Sequence, residues 1–269
     1  MAIATVDDIV AALAAASRQT YGFYKVLAAP KAAGSWVSGW MATGNPAAGA
    51  APPAYTAGSG YTCDKTTVGS LANFTNGATQ LWLPRIGCGA SQTGTLVLYD
   101  RLWSCGGMGF TAATYTVTTP GNLPARITDS GVGVEAFVEQ FVTAGAASGT
   151  LTMNYKNVAA ASKSGVIAAV VSAPVASQLQ IIPLAAGDTG VSQVVSAVNS
   201  ATWTSGSFGI TLMKRICEIS VVLANGGMIL DWASIPLSKI PNDACLQFAM
   251  LDASATQANL FGSLTLVDK

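Results

Sequence analysis

Glu135 and Glu139 are the paired carboxylates of this chain, four residues apart in the run GVEAFVEQFVT at 133–143. On a strand they share one face with Phe137 and Phe141, and Val134, Ala136 and Val138 take the other. At ~3.3 Å per residue the two carboxylates lie ~13 Å apart. Paired glycosidase carboxylates need ~5–9.5 Å, so the two read as the polar face of a half-exposed strand. Asp100-Arg101 reads as a local surface pair. The chain has no histidine, which rules out Ser-His-Asp and Cys-His arrangements. Asp188, in the turn Gly187-Asp188-Thr189-Gly190, could ligate a cation. A turn aspartate usually bonds its own backbone, however, and calcium needs six or more oxygens. Gly131-Val132-Gly133 lacks the strand–glycine–helix setting of a dinucleotide site, and no phosphate loop occurs.

Five cysteines are present, Cys63, Cys88, Cys105, Cys217 and Cys245. None forms a C-x-x-C pair, and without histidine a zinc site lacks its usual nitrogen ligand. An odd count with no export signal fits reduced, buried thiols made in a cytoplasm. Asn73-Phe74-Thr75 matches a glycosylation acceptor, a chance match where there is no secretion. No catalytic residue, cofactor or metal site is expected.

The elements that would position these residues are short strands. Residues 94–120 (GTLVLYDRLWSCGGMGFTAATYTVTTP) hold two strand-like runs, 95–99 and 114–119, expected as a hairpin broken at Gly106-Gly107. Thr114, Thr116 and Thr118 face one way, Tyr115 and Val117 the other. One helix is expected at about 6–18, capped by Thr5, with Asp7 and Asp8 in its first turn. Further strands are expected at 21–27, at 80–84 with a stop at Pro84, and at 133–143. A hairpin pairs 150–156 with 166–171. Strands at 179–184, 191–198, 208–213 and 216–223 follow. Asn225-Gly226-Gly227 then turns 228–232 back as a hairpin, and strands at 245–251 and 263–267 finish the chain. Segments 94–102 and 209–216 are faintly alike. Many short strands with turns every ~8–12 residues predict a mainly β protein, a β-sandwich or barrel of antiparallel strands with one N-terminal helix.

Hydrophobic residues make up 51% of the chain and charged residues only 10%, against ~25% in an average soluble protein. Mean hydropathy is +0.45. Such a chain sits in a membrane or buries much of its surface against other chains. The uncharged stretch 164–187 is long enough to span, but Pro174, Pro183 and several Ser and Gln interrupt it. An outer-membrane barrel signals more weakly; against it, residues 1–16 carry Asp7 and Asp8 and no Lys or Arg, the reverse of an export signal. A net charge of zero gives no electrostatic footprint for nucleic acid. The chain divides by composition into 1–28 (helix and first strand), 29–80 (rich in Gly, Ala and Pro) and 81–269, a β-rich body of one unit or two packed subdomains. Aromatics run through the middle stretch. It reads as an ordered excursion packing them on a surface, such as another subunit's, or as an ordinary surface loop. Ile9, Val10, Leu13, Trp36, Trp40, Tyr55 and Tyr61 are the candidate interface residues.

Several stretches carry a family resemblance: Gly94-Thr95-Leu96-Val97-Leu98-Tyr99-Asp100-Arg101-Leu102, Ser130-Gly131-Val132-Gly133-Val134-Glu135, Leu184 to Val191, Gly206 to Leu212, and Ile240-Pro241-Asn242-Asp243-Ala244-Cys245-Leu246. The helix at 9–16 and Gly39-Trp40 fit the same pattern. The chain resembles tailed-bacteriophage virion structural proteins of the minor capsid or decoration (cement) type. The resemblance implies a place on the capsid surface after synthesis in a bacterial cytoplasm. It also implies contact with the major capsid protein and with copies of itself, a trimer first, and no partnership with nucleic acid or membrane. The alternative is a phage tail or fibre β module, with Trp36 and Trp40 stacking on host sugars. An enzyme such as a depolymerase would need paired acids at the correct distance.

Overall fold

The computed structural model describes residues 3–30, 32–52, 60–109, 113–117, 123–146, 149–200, 205–235 and 237–269. Thr5 starts the helix α1 (Val6–Ala14) with a capping box: its hydroxyl accepts from the Asp8 amide and the Asp8 carboxylate accepts from the Thr5 amide. That satisfies two donors that a helix start otherwise leaves bare. The helix stops at Ala14, four residues short of the expectation. Its last turn holds no basic residue, and Ala15 is already extended.

Seventeen strands follow among the described residues. They are β1 (Gln19–Val26), β2 (Ser35–Ser38), β3 (Thr43–Asn45), β4 (Tyr61–Thr62), β5 (Leu81–Ala90), β6 (Gly94–Gly109), β7 (Ala113–Thr116), β8 (Val134–Val142) and β9 (Leu151–Asn157). Then come β10 (Ser162–Ile167), β11 (Gln178–Ile181), β12 (Val191–Asn199), β13 (Ser207–Val221), β14 (Gly227–Asp231), β15 (Ser238–Ile240), β16 (Leu246–Asp252) and β17 (Asn259–Asp268). The fold is mainly β, antiparallel throughout, with one short N-terminal helix.

Six strands close on themselves. The order β13-β8-β11-β2-β16-β6 ends where β6 pairs back with β13, which makes a barrel. Two sheets flank it: β14-β5-β17-β1-β3, with β15 also on β5, and β10-β9-β12-β7. Side chains alternate along a strand, so each barrel strand has an inside and an outside. Outside, Leu96, Leu98, Cys217, Ile219, Phe248 and Met250 pack on Phe23, Ile86, Leu260 and Leu264 of the first flanking sheet. Further along the same face, Trp103, Cys105, Ala136, Val138, Ile210 and Leu212 pack on Leu151, Met153, Val194 and Ala197 of the second. Inside lie Val97, Tyr99, Phe137, Leu179, Met213 and Ala249, with Trp36 against them.

Four local expectations change. Strand β6 runs unbroken through Gly106-Gly107 and forms no hairpin with β7, which pairs β12 instead. Gly107, at φ +70°, lies at a register shift within the β6–β13 ladder, so it bends the strand rather than ending it. The glycine opposite is dictated by contact: a Cβ on Gly209 would sit 1.8 Å from the Cys105 carbonyl oxygen. The runs 208–213 and 216–223 are one strand, β13, and the two faintly similar segments are the antiparallel partners β6 and β13. After Asn225-Gly226-Gly227 the chain crosses to β5 rather than folding back on β13. Strand β5 continues through Pro84, which falls at a register shift between β5 and β17 where a missing donor is tolerated. The segment 29–80 contributes β2 to the barrel wall and β3 to a flanking edge. The expected hairpin forms, but its second strand is β10 at Ser162–Ile167, four residues earlier than expected, with a correspondingly shorter turn.

Candidate functional site

The barrel strands bring a polar cluster into the interior. In the β6–β13–β8 register Thr211 lies opposite Ser104, Met213 opposite Arg101, and Gly209 opposite Glu139. Arg101 therefore projects into the ring. Its Nη2 lies 2.7 Å from Glu139 Oε2, and both side chains are fully buried. Arg101 also donates to Gln247 Oε1 at 3.1 Å, Ser104 Oγ at 2.9 Å and Thr211 Oγ1 at 3.3 Å. Thr211 donates to Glu139 at 2.6 Å. Trp40 closes over the guanidinium, 4.4 Å from its ring centre, and donates Nε1–H to the Ala50 carbonyl. Burial works against the Arg101 charge; Glu139 and its other neighbours overcome that and hold its pKa above the ordinary value. Arg101 Nε and Glu139 Oε1 are buried without a hydrogen-bond partner, so the pair carries an uncompensated desolvation cost.

Asp100 faces the other way. It accepts from Arg126 Nε at 2.9 Å and Nη2 at 2.8 Å, and from the Cys245 amide at 2.8 Å. Burial pushes its carboxyl upward against the pull of Arg126. Arg126 also donates to the carbonyls of Cys63 and Arg101, tying three chain segments together. Beyond it opens a cleft of about 820 Å³ whose lining includes Asp100, Arg126, Asp129, Lys214, Arg215, Lys239 and Asp243. Lys214 pairs with Asp129, and Arg215 with Glu135 and Glu218. Asp243 pairs with Lys65, while Lys239 lies over the Trp82 ring, so most of the lining charges are already met within the protein. Among the described residues no three His, Cys, Asp or Glu side chains lie together as a metal site. Asp188 is held by Tyr155 at 2.5 Å and Asn157 at 2.8 Å, which lower its pKa. These bonds join its turn to β9 and not to its own backbone.

Two readings of the carboxylates are corrected. Glu139 is not on a half-exposed face: the face it shares with Phe137 is the barrel interior. Asp100 and Arg101 are not a surface pair, since both are buried and each binds a different partner. A signal for this lay in the chain. Adjacent strand residues face opposite sides, so two exposed charges would require both faces wet, which Leu98, Tyr99, Leu102 and Trp103 around them forbid.

The interface candidates separate. Val10 is 58% exposed, Leu13 is half-buried, and Ile9 is buried under α1. Trp40 is wholly buried, with Arg101 stacked over its ring. Trp36 and Tyr61 are half-buried against the barrel interior and against Trp40, Cys63 and Cys245. Tyr55 lies outside the described residues. No helix is long and apolar enough to cross a membrane, among the described residues.

No family model and no curated protein matches the chain. Two solved structures are weakly similar. A Shewanella oneidensis MR-1 protein of unknown function is 11% identical, covering 72% of this chain and 90% of its own, at a TM-score of 0.15. A mutant VP2 protein of infectious bursal disease virus, in T=1 particles, is 8% identical, covering 93% and 76%, also at 0.15. At that score neither likeness bears on fold or function.

Proposed function

We propose that this chain is a structural protein of a tailed-bacteriophage virion, a minor capsid or decoration (cement) protein that clamps the head shell as a trimer. The observation that carries the proposal is where the polar and apolar side chains go. The chain has only thirteen basic and thirteen acidic residues, and Lys25, Asp100, Arg101, Glu139 and Asp252 are buried. Meanwhile Val222 is 77% exposed, Leu223 68%, Ile229 63% and Val10 58%. A fold that turns charge inward and leaves Val and Leu outside suits a protein whose surface is covered by other chains. Closed symmetry buries a repeated patch without open fibres. Three copies suit the local threefold points of an icosahedral shell, a step that rests on the family resemblance. Clamping adds binding free energy to the assembled state. Light scattering of the purified chain should give about three times its 27.2 kDa mass, and shells stripped of it should melt at a lower temperature. A stable monomer at high micromolar concentration together with unchanged shell melting overturns the proposal.

A further inference from the structure

Cys63 and Cys245 are brought together by one strand. On one edge of β6, β4 pairs Tyr61 with Ser104 and Thr62 with Trp103, and the Cys63 amide then donates to the Leu102 carbonyl. On the same edge β16 pairs Leu246 with Asp100, and the Cys245 carbonyl accepts from the Arg101 amide. The tail of β4 thus meets the head of β16 at consecutive positions of β6, a rise of ~3.4 Å. A disulfide spans Cα atoms ~4.4–6.8 Å apart. The two residues pack in one cluster with Trp40, Met41 and Tyr61, and both are wholly buried. Arg126 and Asp100 fasten the seam from outside by bonding the Cys63 carbonyl and the Cys245 amide.

We propose that Cys63 and Cys245 are a latent disulfide, closed by a peroxide-class oxidant, that ties β4 to β16 at one mouth of the barrel. The two thiols are inequivalent. For Cys63, burial acts against the thiolate, but the neighbouring Cys245 thiol and the Arg101 charge outweigh it and the pKa falls. Burial and the neighbouring Cys63 push Cys245 well up. Cys63 is therefore the attacking sulfur. Its thiolate takes the terminal oxygen of hydrogen peroxide, releasing hydroxide and leaving a sulfenic acid. The Cys245 sulfur then attacks the Cys63 sulfur, its proton leaves, and the sulfenic oxygen departs as water. Two thiols lose two electrons, and one peroxide becomes two waters. Cys88, Cys105 and Cys217 have no such cationic neighbour; burial pushes them to about 11, 12 and 12, which makes them internal controls. The inference is independent of the virion proposal.

The test is to treat the reduced, folded chain with a small excess of hydrogen peroxide, block remaining thiols in denaturant, and map peptides by mass spectrometry. The expected product is one cross-linked peptide pair containing Cys63 and Cys245, two hydrogens lighter than the reduced pair and reopened by dithiothreitol, with the other three cysteines alkylated. Cys245→Ser should instead trap Cys63 as a sulfenic acid that dimedone captures. Five alkylated cysteines after treatment, or a bridge between any other two, overturns the proposal on the unaltered chain.

Discussion

The inside and the outside of the barrel are made by the same strands and held together by different physics. Outside, β6 and β13 offer Leu96, Leu98, Ile210, Leu212 and Ile219 to the flanking sheets. Those contacts are non-directional and each contributes roughly in proportion to the area it buries. Inside, beside the apolar Val97, Phe137, Leu179 and Met213, strands β6, β8, β13 and β16 supply Arg101, Ser104, Glu139, Thr211 and Gln247, linked by directional bonds. A six-stranded ring is narrow enough for side chains alone to fill it. The difference teaches that the outer cores are graded, losing stability in steps, whereas the interior holds only while its members are complete.

That contrast is most sharply broken at Arg101. Arg101→Met alone leaves Glu139 buried and unpaired, and should cost ~3–5 kcal/mol of unfolding free energy. Adding Glu139→Leu removes the stranded charge and should return most of the loss, because an apolar pair of similar volume often serves as well. Phe248→Ala, whose ring sits 4.8 Å from that of Phe23 in the outer core, should cost a similar ~3–5 kcal/mol. Its loss is missing volume, which no partner deletion restores. Urea unfolding of the three variants and the parent reads this directly. A double variant no more stable than Arg101→Met would show the interior to be ordinary packing.

How much of this was legible follows the same division. Strand existence was readable from alternation at β8 and from short runs between turns at β9, β12 and β16, and the Thr5 cap located α1. Barrel closure was not, because the pairing of β6 with β13 joins Gly94–Gly109 to the distant Ser207–Val221, and local pattern holds no register between them. The period-2 pattern of β8 correctly placed Glu135 and Glu139 on one face. It could not say whether that face met water or the inside of a ring, since a polar lumen and a polar surface are written with the same residues. Gly106-Gly107 failed for a related reason: glycine marks a turn or a bulge within a strand, and only the partner strand decides.

Lys25 sharpens the comparison as a buried charge with no opposite charge. It is 1% exposed, and its ammonium donates to the carbonyls of Ala42, Pro46 and Ala47. Burial lowers its pKa from 10.5 to about 8. Between those values the unfolded chain holds a proton that the folded chain has shed, so this residue's contribution to stability rises with pH. It is lost as pH falls through about 8. At about 1.4 kcal/mol per pKa unit the swing is at most ~3 kcal/mol, and the three carbonyl acceptors reduce it. Cys88, Cys105 and Cys217, pushed upward by burial, act oppositely above pH 9. The measurement is therefore a difference: parent minus Lys25→Met, by urea unfolding from pH 7 to 10.5, should climb across the window. A flat difference would mean that the carbonyls keep Lys25 charged, and that this site resembles the satisfied part of the barrel network.

The smallest effect on stability should come from the exposed apolar residues, and it should be accompanied by the clearest effect on assembly. Ile9 and Val10 are neighbours on α1, one 5% and the other 58% exposed. Ile9→Asp puts a carboxylate under the helix and should unfold or loosen it. Val10→Asp stays in solvent and should shift unfolding by no more than ~0.5 kcal/mol, as surface changes do. Val222→Asp with Leu223→Asp, just beyond β13, should be equally mild, since both side chains already stand largely free. If the apolar exterior is an association surface, at least one of these two sites must matter once copies meet, because a charge would then be buried between chains. Light scattering across a concentration series separates the cases. A fall to the single-chain mass with Val10→Asp assigns the contact to the helix; the same fall with the Val222/Leu223 pair assigns it to the end of β13. Unchanged association in both, with stability intact, would leave these patches as plain surface and remove the structural support for a covered exterior.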